Sequence, residues 1–314
     1  MPYAAPVNEI KEPITIVTDD GWTLRGEWIP GPNPAAPLVM ASHAMWVDRR
    51  TLTRRGPPSV VSALQDAGLN VCLVDLRGHG ESGPHATDGA DFSYDDIVRY
   101  DLPAIFRYGR TRMPNAHLTV LGHSLTGHAA MIAAGLATEN VPDAIVGIAS
   151  NLWLPKLDRN ARTSLSKQLA LTAWSLVAGR KGHFDAKRMR LGQWGVPAAY
   201  VQQFAEMFTR NQLGPSGGRA EYEEALRRVH IPIYTLASEG DRILSTPDNV
   251  AAFMALMPHA AVTRRVLWRR DGAPQPDHMG LVLNPECEDE WHAIAAWIHY
   301  QAKTVTPDSW KEGP

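Results

Sequence analysis

The chain has 314 residues, 44% of them hydrophobic and 20% charged, the proportions of an ordinary globular protein. Its formal net charge of −2 gives no electrostatic reason to expect a nucleic acid or an anionic membrane as partner. Two cysteines, Cys72 and Cys287, make neither a disulfide framework nor a metal-ligand spacing, and Cys72 lies in the apolar run 71–74 as a packed core thiol. Residues 1–13 lack a basic start and an apolar core, so no secretory leader is expected. The apolar stretch 169–178 is too short to cross a bilayer, and the expected location is cytoplasmic.

Residues 14–17 and 22–29 flank Asp19-Asp20-Gly21, a hairpin signal. After a proline-rich loop, residues 37–42 form a continuous apolar run of the kind buried on both faces in a parallel sheet. A helix is expected over 59–69, a buried strand over 70–75 and a second helix over 93–108. The run starting at Leu118 reads as a strand that stops at Gly122, and the small residues Ala129, Ala130, Ala133 and Ala134 follow with helical potential. Residues 144–150 make another strand. The alternation then breaks. Residues 151–228 are helix-like and aromatic, neither low-complexity nor Gly/Ser-rich, and are expected to form an inserted cap on a core of residues 1–150 and 229–314. Alternation resumes with a strand at 231–236, a helix capped by Thr246 with Pro247 in its first turn, and a strand at 261–268. The last helix starts at Asn284-Pro285 and carries Trp291, Ile294, Ala295 and Ile298 on one face. Strands and helices alternating in this way predict an α/β fold: a mostly parallel, doubly wound sheet with a helical insertion. Right-handed crossovers bring the carboxyl ends of the strands to one edge, where loops build a site.

A strand, an abrupt turn and a helix with a serine at the apex make Gly122-His123-Ser124 a candidate nucleophile elbow. The usual second glycine, two residues after the serine, is replaced by Thr126, with Gly127 one step later. A serine hydroxyl needs a histidine to take its proton, and the histidine needs a carboxylate to fix its tautomer. In such a sheet the partners are expected in the order serine, acid, histidine. Asp241 follows the 231–236 strand, and His278 lies between the final strand and the last helix. The rivals are Glu239, Asp158 and Asp277 for the acid, and His43, His79, His85, His123 and His128 for the base; His123 and His128 are read as packing or surface residues.

Four landmarks in order resemble the α/β-hydrolases over nearly the whole chain: Ser42-His43 after an early strand, the loop Asp75-Leu-Arg-Gly-His-Gly-Glu-Ser82, the elbow Gly122-His-Ser-Leu-Thr-Gly127, and the loops of Asp241 and His278. The stretch Asp277-His278-Met279-Gly280-Leu281 further resembles a bacterial group of predicted hydrolases. The resemblance implies the α/β-hydrolase fold, with Ser124 as nucleophile, His278 as base and then acid, and Asp241 as the orienting carboxylate. It also implies an oxyanion hole from the backbone N–H of Leu125 and a donor on the loop after His43. Met45 is the first choice for that donor and Ala44 the second; the loop reads His43-Ala44-Met45 where the family usually has glycine after the histidine. Arg77 is expected to brace its loop by bonding carbonyls.

The aromatic residues of 151–228 suggest an apolar acyl or aryl pocket, with His43, Trp46 and Trp153 as candidate lining residues. The basic run Arg180, Lys181, Lys187, Arg188 and Arg190 is read as a solvated face. No metal spacing or phosphate-binding glycine loop stands out, so no cofactor is expected. The expectation is a serine hydrolase acting on a small-molecule carboxylic ester or thioester. An acyltransferase with the same three residues and a hydrolase-fold binding protein with little turnover are the alternatives.

Overall fold

The computed structural model describes residues 11–54, 56–218 and 220–304. Residues 1–10, on which the reading of the N-terminus chiefly rests, lie outside them. The chain opens with the hairpin β1 (Glu12–Val17) and β2 (Thr23–Ile29), then β3 (Leu38–Ser42) and a single turn α1 (Arg50–Thr53). Helix α2 (Val60–Asp66) starts at Ser59, whose hydroxyl accepts from Ser62 N, and leads to β4 (Asn70–Val74).

The helix expected over 93–108 is made in pieces. A turn α3 (Tyr94–Asp96) passes through a wide π turn at Ile97–Asp101 into α4 (Leu102–Arg112). Pro103 is the physical reason. It lacks an N–H and would crowd the carbonyl one turn back, so the wider turn ahead of it absorbs the mismatch.

Next come β5 (Leu118–His123), α5 (Leu125–Leu136) and β6 (Ala144–Ile148). After β6 the chain leaves the sheet for α6 (Ala161–Lys181), a small ladder of β7 (His183–Phe184) with β8 (Val196–Pro197), α7 (Ala198–Arg210) and α8 (Glu221–Arg227). It returns with β9 (Ile233–Ser238), α9 (Pro247–Met254), β10 (Val262–Leu267), the turn α10 (Gly280–Leu283) and α11 (Glu288–Thr304). Thr246 caps α9, as its position before Pro247 predicts.

The strands form an eight-stranded sheet in the order β1-β2-β4-β3-β5-β6-β9-β10. Only the pairings of β2, with β1 and with β4, are antiparallel; the remaining pairs are parallel. Register decides what meets at the carboxyl edge. Ser42 lies opposite both Val74 and Gly122, and Gly122 lies opposite Gly147, so the loops after β3, β4, β5 and β6 leave the sheet side by side. The interior splits into one apolar cluster on each face of the sheet, with Trp291, Ile294, Ala295 and Ile298 of α11 in one of them. The helical segment between β6 and β9 is tied down by Lys167. Its buried ammonium donates to Asp158 Oδ1 (2.6 Å) and Asn249 Oδ1 (3.1 Å), which pins α6 to α9.

Candidate active site

Ser124 stands between the last residue of β5 and the first of α5 with φ 50° and ψ −105°, a conformation that non-glycine residues rarely hold. Its own N–H donates to Ile148 O at 2.8 Å, which ties the turn to the neighbouring strand. The chain doubles back so tightly that a Cβ on Gly122 would lie 2.1 Å from Gly127 N, and one on Gly127 would lie 2.0 Å from Ser150 Oγ. The two positions that must be glycine are therefore 122 and 127. Position 126 is free to carry a side chain, and the Thr126 hydroxyl donates to His43 O at 2.7 Å. The departure from the usual spacing ties the elbow to the loop after β3.

Asp241 sits just after β9, where its carboxylate accepts from Leu244 N and Ser245 N (3.0 Å each) and from His278 Nδ1 at 2.6 Å. Burial pushes the Asp241 carboxyl up, but the His278 hydrogen bond and charge and the two backbone donors outweigh it and hold the group below the usual carboxylate range. Gly240 makes the meeting possible: a Cβ there would lie 2.4 Å from the carbonyls of Gln275 and Pro276, so only glycine lets the Asp241 and His278 loops touch. His278 is further fixed through its backbone, whose carbonyl accepts from His123 Nε2 at 3.0 Å. Ser124 and His278 face one cavity. No hydrogen bond joins them among the described residues, the looser arrangement that hydrolases often have before substrate draws the pair together.

The loop after β3 is fixed by two histidine rings. His43 Nε2 accepts from Leu76 N at 3.0 Å, so its proton is assigned to Nδ1, which donates to Ala44 O at 2.8 Å. In a trans peptide the N–H points opposite to the carbonyl, so holding Ala44 O against the His43 ring turns Met45 N–H the other way. Trp46 N donates to His79 Nε2 at 3.3 Å, and Trp46 has φ 70°. Among the described residues neither Met45 N–H nor Leu125 N–H has a hydrogen-bond partner; Leu125 is one of the unpaired donors at the start of α5. Burial keeps both rings neutral, lowering His43 to about 4 and His79 to about 3.

The cavity measures about 230 Å³. The sheet edge contributes Ser124 and His278, the loop after β3 contributes Ala44, Met45 and Trp46, and the helical segment contributes Trp153, Leu171, Trp174, Tyr200 and Phe204. Among the described residues no Asp, Glu, Lys or Arg lines it. His43 does not line it either, contrary to expectation: the ring is fully buried behind the loop it braces.

A family described as serine aminopeptidase, S33, matches residues 57–267. The chain belongs to this family of α/β-hydrolases. Lipase member N of mouse is 29% identical to this hydrolase over 188 residues, 54% of this chain and 46% of its own length. Human lysosomal acid lipase/cholesteryl ester hydrolase is 29% identical over 129 residues, 36% of this chain and 32% of its own. The hydrolase thus spans less than half the length of these curated relatives. A crystallised esterase from Pyrococcus furiosus superposes with a TM-score of 0.61 at 18% identity, covering 96% of both chains, a likeness of fold.

Several residues of the hydrolase sit otherwise than expected. Arg77 bonds carboxylates rather than carbonyls: Nε donates to Asp101 Oδ1 (2.8 Å), and the two terminal nitrogens reach Asp20 (2.8 and 3.1 Å). A buried guanidinium needs countercharge, which carbonyls do not supply. Of the two readings of His123 and His128, packing or surface, the structure has packing: both are buried, and burial lowers each to about 3. Among the rival acids, Asp158 is taken by Lys167, Glu239 accepts from Arg269 N, and Asp277 accepts from Gly280 N. Trp194 lies off the cavity, stacked on His85 with its N–H on Asp48. The basic run is exposed. Both cysteines are buried and free, with the Cys287 thiol raised to about 12 by burial. Among the described residues no helix is long and apolar enough to cross a membrane, and no three His, Cys, Asp or Glu are grouped to hold a metal ion. The contacts that Thr126, His123 and Gly240 make were not anticipated from the sequence. Only the glycine carries a local signal, as a small residue directly before a candidate acid.

Proposed function

We propose that the protein is a serine hydrolase that cleaves a carboxylic ester or thioester through an acyl-enzyme on Ser124. One observation carries the reading: Ser124, held at positive φ on a sharp strand-to-helix turn, shares a cavity with a histidine whose Nδ1 is bonded to a buried carboxylate at 2.6 Å. His278 Nε2 takes the Ser124 proton as Oγ attacks the acyl carbon. Asp241 holds the ring in the required tautomer and stabilises the imidazolium. The oxyanion accepts from Leu125 N–H at the start of α5 and Met45 N–H on the loop after β3, two amides without a partner among the described residues. His278 then returns the proton to the leaving alkoxide or thiolate. Water, deprotonated by the same ring, releases the acid and frees Ser124.

The segment 151–228 acts as a cap over a core of residues 1–150 and 229–314, supplying the apolar wall against which the acyl or alcohol part of the substrate packs. The family description raises peptide hydrolysis as a second reading. An aminopeptidase must hold a free α-ammonium, and among the described residues the cavity wall has no carboxylate to do so. A neutral ester suits this wall better.

A fluorophosphonate probe tests the proposal, with the labelled peptide located by mass spectrometry and hydrolysis of nitrophenyl esters followed in parallel. Labelling at Ser124 that is lost in Ser124→Ala and strongly slowed in His278→Ala is expected. A folded protein that neither labels nor turns over any ester overturns the proposal.

A further inference from the structure

Trp46 directly follows Met45, the second oxyanion donor of the proposed reaction, and it has φ 70°. A bulky side chain rarely adopts this left-handed backbone, and it persists only where the surroundings impose it. Two elements impose it here. On one side Trp46 N donates to His79 Nε2 at 3.3 Å. On the other, Trp46 O accepts from Gln193 N at 2.7 Å and from Trp194 N at 3.0 Å. Both of these donors belong to a short strap of the helical segment, residues 192–194, between β7 and β8.

The strap is seated closely. A Cβ on Gly192 would lie 2.4 Å from Trp46 Cβ and 2.6 Å from Trp46 O. Gly192 has no positive φ, so glycine stands there for the close approach alone. Two residues further along the same loop, Asp48 Oδ2 accepts from Trp194 Nε1 at 3.0 Å. The Trp46 ring completes the clasp: it stacks on Phe184 at 5.4 Å between centroids and meets Trp174 edge-on at 5.0 Å. Without the strap, Trp46 O would lose both donors and φ would be free to return to negative values. The Met45–Trp46 peptide would turn with it, and Met45 N–H, one peptide earlier, would lose its aim.

We propose that residues 192–194 are a positioning element for the oxyanion hole: by gripping Trp46 they hold Met45 N–H in place, so the hole is complete only while the strap is docked. The helical segment then assembles part of the catalytic geometry as well as walling the cavity. The proposal rests on the ester-hydrolase reading and assigns the regulation of that same site.

Gly192→Ala tests it, since the added methyl group forces the strap away from Trp46. A loss of about a hundredfold in kcat is expected, the scale of one misplaced oxyanion donor, with KM hardly changed. Affinity for an alkyl trifluoromethyl ketone, which Ser124 converts to a hemiketal whose oxygen occupies the hole, should fall in proportion. Ester binding, titrated into Ser124→Ala with and without Gly192→Ala by tryptophan fluorescence, should hardly move. A strap that only packs the cavity wall would instead weaken ester and ketone binding together, and that result overturns the proposal.

A second pair of variants stands even if Gly192→Ala does not fold. Trp46→Gly and Trp46→Ala lose the same ring and differ in their tolerance of positive φ, so the glycine variant should have the higher kcat, by about fivefold or more. Equal rates, or a faster alanine variant, overturn the proposal. A wild-type protein that neither turns over an ester nor labels with fluorophosphonate defeats this proposal and the ester-hydrolase reading together. Wild-type turnover that survives unchanged in Gly192→Ala defeats the strap alone.

Discussion

On the sheet side of the cavity, the polar groups around Ser124 are held in place. Thr126 grips His43 O, His43 bonds Leu76 N and Ala44 O, Asp241 receives three donors, and His123 holds the His278 carbonyl. On the helical side, Tyr200 Oη and Asn151 Oδ1 have no partner among the described residues, and α6 leaves Leu165, Leu169 and Leu176 exposed. The tie from α6 to the core, Lys167 with Asn249, lies off the cavity. The contrast fits the proposed function, in which the sheet side carries the chemistry and the helical side supplies the apolar wall. Groups that must keep sub-ångström geometry through a reaction are bonded on every side.

Variants on the sheet side should therefore strike kcat, and the largest effect belongs to the elbow. Ser124→Ala should lower ester turnover on the order of a millionfold while ligand binding persists, as stopped assays and fluorescence titration would show. Asp241→Asn keeps the shape but offers His278 Nδ1 a donor in place of an acceptor. A loss of about ten-thousandfold in kcat is expected, with fluorophosphonate labelling slowed in parallel. A loss as small as tenfold would mean that the His278 tautomer is set by something other than Asp241.

Acid should break the held side first. Burial lowers His43 to about 4 and His79, His123 and His128 to about 3. The same side chains in the unfolded chain titrate near pH ~6.5, so below that value the unfolded state takes up protons that the folded state refuses. Stability is therefore full above about pH 6.5 and falls as pH drops toward the folded values, by about 1.4 kcal/mol per pH unit for each histidine. Near-ultraviolet circular dichroism should show cooperative loss of tertiary structure in mild acid. A signal unchanged down to about pH 4 would contradict the neutral, buried assignment of these rings. The smallest effect is the sharpest test of the contrast. Thr126→Val keeps the volume but strips His43 O of its donor, and should lower kcat about tenfold with KM nearly unchanged and a modest fall in Tm. A change in KM alone would move Thr126 to the recognition side.

Most of the sheet was legible in the sequence because its strands are continuous apolar runs and its turns carry glycine, proline and aspartate. The α4 region was less so: a proline inside a helical pattern announces a break, but not that a π turn at Ile97–Asp101 will absorb it and place Asp101 under Arg77. At the candidate site, the serine on its turn and the order of acid and histidine are local patterns, readable from neighbours in the chain. The role of Thr126 was not readable, since its partner His43 lies 83 residues away and meets it only because Ser42 and Gly122 are in register. The same holds for Gly240, which matters because of the carbonyls of Gln275 and Pro276, and for His123, whose partner is 155 residues distant.

The sequence by itself determined the alternation of elements, the sharp turn at Ser124 and the family, because those follow from periodicity, glycine placement and short motifs. Only the tertiary structure decided which polar groups are paired and which are not. Pairing depends on sheet register and on a helical segment folding back across the carboxyl edge, and neither leaves a mark on any single stretch of chain.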